Sequence, residues 1–92
     1  MNEKIEAIKT ELELYMQVSL AKQHTNEYIV YTFYTNVKRK TVIRQRKEHY
    51  KDRELNNPGK SKKTNVDIPI DKFLDNIVYD LLNRGYELEK WD

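Results

Sequence analysis

The chain reads as a small α+β domain in which two helices pack on an antiparallel sheet. Residues 28–37 are dense in aromatic and β-branched side chains, the composition of a strand. On both sides of that run, apolar residues recur at the helical period. With 92 residues, 38% apolar and 35% charged, there is material for one small core and one domain, 1–92. Seven Tyr, two Phe and one Trp enlarge that core, because rings bury much surface per residue.

The first helix is expected to start with Asn2 as its N-cap, and Glu3 and Glu6 complement the positive end of its dipole. Ile5, Ile8, Leu12, Tyr15, Met16 and Ser19 form one mainly apolar stripe. Leu14, Val18 and Ala21 form a second, roughly 140° away at about 100° per residue. That second stripe is either covered by the sheet or is an interface, which makes a homodimer one expectation.

Thr25 and Asn26 break the helical pattern before the strand at 28–37. Ile29, Tyr31, Phe33 and Val37 fall on one of its faces; Tyr28, Val30, Thr32 and Tyr34 fall on the other. Apolar material on both faces predicts a central strand. Residues 41–46 read as its antiparallel partner across a turn at 38–40. On that partner Arg44 and Arg46 share a face with Val42, while Ile43 faces the core with Thr41 and Gln45. Residues 47–54 fit either a continuing strand or a short helix.

Pro58-Gly59 and the lysines after them predict a mobile loop over 56–65. Residues 66–70 alternate like a short strand, which Pro69 confines to an edge or a strand end. A second helix follows, with Asp71 as its cap and Leu74, Ile77, Val78, Leu81 and Leu82 as its buried face. Gly85 ends it. Residues 86–91 read as a last strand, with Tyr86 and Trp91 closing the core. The predicted order is α-β-β-(β)-α-(β).

Charge is distributed far less evenly than its total of +2 implies. Residues 38–63 hold eleven Lys or Arg against three acids, a net of +8, while residues 1–27 carry −2 and residues 64–92 carry −4. A basic arm at 38–65 between acidic flanks is the electrostatic footprint of a polyanion partner. The candidate nucleic-acid contacts are Lys38, Arg39, Lys40, Arg44, Arg46, Lys47, Lys51, Arg53, Lys60, Lys62 and Lys63, with Tyr50 placed to stack on a base. The bland alternative is a solvated face whose lysines protect a sheet edge from aggregation.

Other chemistries lack their residues. Cysteine is absent, so disulfides and thiolate metal sites are excluded. His24 and His49 have no ligand set at metal-binding spacing, and Ser19 and Ser61 have no base or oxyanion context. Asp67, Asp71, Asp75 and Asp80 do not converge, since Asp75 and Asp80 diverge by about 140° on a helix. Two distant glycines build no phosphate-binding loop. The expectation is a protein that is not an enzyme and needs no metal, cofactor or small-molecule substrate. The longest uninterrupted apolar run, 28–31, is far short of the ~20 residues of a membrane span. An acidic helix start in place of a signal peptide predicts a soluble, cytoplasmic protein without a membrane partner.

The helix–three strands–helix order resembles that of double-stranded RNA-binding domains. Where that family carries a lysine cluster at the start of its second helix, this chain has Asp71-Lys72, so no residues carry over. In its Lys-, Asn- and Ile-rich composition and small size, the chain looks like accessory proteins of phages and mobile elements, among them inhibitors of CRISPR nucleases. That likeness implies engagement of nucleic acid or of a nucleoprotein machine through the basic arm. The alternative is a direct DNA- or RNA-binding regulatory module, as monomer or homodimer.

Overall fold

Phe33 of the sheet and Phe73 of the second helix meet edge to face, with ring centroids 4.7 Å apart. Both are almost wholly buried, and the main core gathers around them: Ile8, Leu12, Val18, Leu20, Val42, Leu74, Val78, Leu81 and Tyr86. The computed structural model describes residues 2–51 and 58–89. These form five antiparallel strands in one sheet, with two helices on one of its faces.

Helix α1 (Asn2–Tyr15) buries Ile8 and Leu12, with Ile5 at the margin. It stops because Met16 adopts a left-handed backbone, φ 60°. The Met16 N–H still donates to the Leu12 carbonyl at 2.9 Å, and its own carbonyl accepts from the Thr35 N–H at 3.0 Å. That second bond ties the helix end to the sheet.

Strand β1 (Gln17–His24) then pairs with β2 (Glu27–Asn36), β2 with β3 (Thr41–Lys51), and β3 with β4 (Lys60–Pro69). After the second helix, β5 (Glu87–Glu89) returns to the free side of β1, giving the order β4-β3-β2-β1-β5. β2 is the central strand, as its two apolar faces require. Ile29, Tyr31 and Phe33 lie toward the helices, whereas Tyr28 and Val30 join Ala21 and Tyr50 in a second cluster on the opposite face.

The second helix, α2 (70–83), begins with an α-helical turn Ile70–Lys72, passes through a π-helical stretch Phe73–Val78, and ends as α-helix Tyr79–Asn83. Leu74, Val78 and Leu81 are buried on its inner face with Phe73, and Ile77 and Leu82 pack beside them. Gly85, at φ 92°, ends the helix. The Gly85 N–H donates to Leu82 and the Tyr86 N–H to Leu81, at 3.1 and 3.0 Å, the two bonds of a Schellman cap. Without a β-carbon, glycine takes that left-handed position freely.

Three expectations are corrected. The first helix does not run on through Ala21. Val18 and Ala21 belong to β1, where they sit in the two different clusters on opposite faces, and Leu14 stays on α1 exposed to solvent. The stripe Leu14–Val18–Ala21 therefore does not exist as one surface, and the dimer interface drawn on it is not formed. Residues 60–65 are not a loop but the first half of β4. Pro69, not Asp71, occupies the N-cap of the second helix, and Asp71 lies in its first turn. The order α-β-β-β-β-α-β roughly fits the expected one, with a strand added between the helices, so the helix–three strands–helix pattern of double-stranded RNA-binding domains is not shared. Trp91 and Arg53 lie outside the described residues.

Met16 generates a test of opposite signs. A side chain in the left-handed region costs about 1–2 kcal/mol that glycine avoids, and a β-branched residue suffers most. Met16→Gly is expected to raise the melting temperature by a few degrees, and Met16→Val to lower it. Thermal unfolding in which both variants shift the same way would show that the helix does not end on this strained residue.

Candidate nucleic-acid interface

Strand alternation sorts the cations of the basic arm, and a β-bulge in β3 sets its phase. Tyr34 pairs with Arg44 and Thr35 with Val42, leaving Ile43 as an extra residue. Val42 is thereby fully buried against the helices, while Arg44 and Arg46 share the opposite face. The expected grouping of Val42 with the two arginines is corrected by this one inserted residue. Their shared face, and their separation from the core, stand.

Arg46, Glu48 and Tyr50 follow each other at every second position on that opposite face. Glu48 is buried. One carboxylate oxygen accepts from the Tyr50 hydroxyl at 2.7 Å, and the other lies 3.1 Å from the Arg46 Nε. The Arg46 guanidinium also stands over the Tyr34 ring, 6.0 Å from its centroid. Arg46 is thus partly committed to neutralising a buried acid. Tyr50 is buried with Ala21, Tyr28 and Val30 and its hydroxyl is engaged, so it is not a stacking surface. Burial, reinforced by the hydrogen bond to Glu48, pushes its phenol up to about 12. The network follows from spacing 46, 48, 50 once β3 is known to reach Lys51. The ambiguity of 47–54 hid it.

On the neighbouring edge strand, Lys63 stands opposite Arg46, Lys62 opposite Lys47, and Lys60 opposite His49. Lys63 continues the face of Arg44 and Arg46. Lys60 and Lys62, with Lys47 and Lys51, belong to the other face, where Lys47 Nζ lies 5.3 Å from the centroid of the Tyr31 ring. His49 Nδ1 bonds Glu27 at 2.8 Å, which holds the Glu27 carboxyl below the usual carboxylate range. Ser61, Thr64 and Asn65 are exposed between and beside the lysines.

Lys38, Arg39 and Lys40 form a separate group in the β2–β3 turn, at the end of the sheet away from Lys60. Arg39 and Lys40 help line a groove of about 790 Å³ together with Lys9 and Glu13 of α1 and Asp71 of α2. Arg39 pairs with Asp67 at 3.7 Å, both exposed, a contact worth little in water. The structure thus brings Arg44, Arg46, Lys47, Lys51, Lys60, Lys62 and Lys63 onto one edge and leaves the turn apart.

Among the described residues, no three His, Asp or Glu side chains gather as a metal site, and no helix is long and apolar enough to cross a membrane. No protein-family model, curated protein or solved structure matches the chain.

The Tyr50 phenol generates an alkaline test. Unfolded, it ionises near its ordinary value of 10.0, whereas the native protein holds the proton to about 12. Its contribution is fully present below pH 10 and is lost as pH rises through 12. Tyr50→Phe is expected to lower stability by about 2 kcal/mol at pH 7, the scale of a hydrogen bond to a charged group. Urea unfolding should then show the gap between parent and variant closing from pH 10 upward. A gap that stays constant across that range would show that the phenol is not held by Glu48.

Proposed function

We propose that this chain is a non-enzymatic accessory protein that engages nucleic acid, free or within a nucleoprotein machine, through the cationic edge formed by β3 and β4. One observation carries the reading: in successive cross-strand pairs, cation stands opposite cation, Arg46 with Lys63 and Lys47 with Lys62. Like charges directly opposite each other destabilise a sheet. Protection of an edge against aggregation calls for lysines on β4 alone. Arg46 answers in part to the buried Glu48, but β3 is an interior strand, so edge protection does not call for Lys47 opposite Lys62, and a polyanion partner supplies a reason.

A second observation favours a nucleoprotein target. The edge at the other end of the strand order, β5, carries Glu87 and Glu89, and Glu3, Glu6, Glu11 and Glu13 outnumber Lys4 and Lys9 on α1. A molecule with one basic and one acidic side is complementary to a protein channel holding nucleic acid, as an inhibitor of a defence nuclease of phage or mobile-element type would be. A plain DNA- or RNA-binding regulator uses only the basic side.

The test is fluorescence-polarisation binding to short DNA and RNA, single- and double-stranded, across a salt series. With about six phosphates contacted, the log–log slope is expected near about −5. The triple variant Arg44→Glu, Lys62→Glu, Lys63→Glu changes exposed side chains only, and should lose at least about a hundredfold in affinity with its circular dichroism unchanged. Arg46 is spared because its loss leaves Glu48 buried and unneutralised. Absent or salt-insensitive binding to every ligand, or a folded triple variant of parental affinity, removes the cationic edge as the site.

A further inference from the structure

We propose that the nucleic acid is a B-form DNA duplex whose major groove the β4–β3 edge enters edge-first, a step that rests on the nucleic-acid reading above. The cations of this edge lie on both faces of the sheet. Lys62 and Lys63 are consecutive on β4, pair with Lys47 and Arg46 respectively, and therefore project to opposite sides. A polyanion lying flat on the protein meets the cations of one face only. A groove has two phosphate walls, one for each face.

The dimensions agree. Strands are about 4.8 Å apart, and stacked sheets lie about 10 Å apart face to face, the space one sheet takes where side chains interleave with a neighbouring surface. The B-form major groove is about 12 Å wide and about 8.5 Å deep, so it takes β4 at its floor with β3 behind it. The minor groove, about 6 Å wide, does not. The major groove of A-form RNA is too deep and narrow to be read this way.

The free part of the edge is also defined. Every residue from 60 to 65 is exposed, whereas Val66 and Ile68 further along β4 pack against the main core. Six extended residues span roughly 20 Å, about six base pairs. Between the lysines, Ser61, Thr64 and Asn65 present short polar side chains of the kind that reach base edges.

Single-stranded nucleic acid is gripped by stacking its bases on aromatic rings. The rings near this edge are engaged elsewhere among the described residues. Tyr50 and Tyr28 are buried, Tyr34 lies under Arg46, and Tyr31 contacts Lys47, Phe33 and Tyr86.

The test compares duplex DNA of about 16 base pairs with single-stranded DNA and duplex RNA of the same sequence. Parent, Lys62→Gln and Lys63→Gln proteins are titrated over a salt series. The duplex DNA is expected to bind at least about tenfold more tightly than the other two. Each variant should reduce the salt slope on it by about 0.9, the loss of one phosphate contact. Methyl green, which fills the major groove, should block binding, and netropsin in the minor groove should not. Equal or tighter binding to single strands or duplex RNA, one silent variant of the two, or blockage by netropsin alone overturns groove entry while the nucleic-acid reading stands. No binding to any ligand overturns both.

Discussion

The phase of β3 governs this molecule. A strand shows its side chains alternately to two faces, so the residues of β3 cannot all serve the core or all serve the surface. Val42 must be buried to complete the packing around Phe33 and Phe73, and Arg44 must not be. In a regular strand those two residues share a face. The extra residue at Ile43 resolves the conflict by shifting the alternation once, at little cost beyond one unpaired ladder position. Everything beyond it follows: Arg44 and Arg46 outward, Gln45 and Lys47 toward the helix side, Glu48 and Tyr50 into the second cluster. The cationic edge is the consequence of a packing requirement several residues away.

Holding so many cations together has its own physical demand. Of the groups that temper them, Glu48 lies on β3 itself and Tyr34 and Tyr31 on the neighbouring β2. Glu48 sits buried between Arg46 and Tyr50, and its charge is compensated by a guanidinium and a phenol that cannot easily leave. Tyr34 and Tyr31 place ring faces under Arg46 and Lys47, an attraction that is cheap to desolvate compared with an acid. These contacts orient the inner cations. The lysines of β4 are exposed to solvent. Inner cations are thus positioned and outer ones exposed.

Much of this was legible in the amino-acid order. The central strand, both faces of β2, the inner face of α2 and its glycine stop each followed from a pattern with a mechanism. The run of basic residues was legible too, but not its division between the β3–β4 edge and the separate turn of Lys38, Arg39 and Lys40. What was not legible shares one cause, the masking of one period by another. From Ile5 to Ser19 apolar residues keep helical spacing across a boundary marked by no glycine or proline, because Met16 takes the left-handed conformation instead. Strand β1 shows no alternation, since Val18, Ser19, Leu20 and Ala21 are all buried between the two clusters. β4 was hidden differently. Lysine, serine and asparagine are poor strand formers, and only pairing with β3 holds 60–65 extended. A tertiary partner overrode a local preference there. The bulge at Ile43 had no local signal at all.

The strand order also explains how a chain of net charge +2 can present a strongly basic surface. β4 and β5 are the two edges of a five-stranded sheet, separated by four strand spacings, roughly 19 Å. At physiological ionic strength, charges are screened over about 8 Å. The carboxylates of Glu87 and Glu89 therefore do little to cancel the field of Lys60, Lys62 and Lys63, although in a total they count against it. Had β5 been added beside β4 instead of β1, the same residues would have formed a neutral edge with internal ion pairs. Topology, not composition, separates the signs. The connection that achieves it is α2, which leaves the basic edge at Pro69 and carries the chain over the core to the far side of β1. The helix that buries Phe73 against Phe33 is thus also the element that keeps the acidic strand away from the lysines.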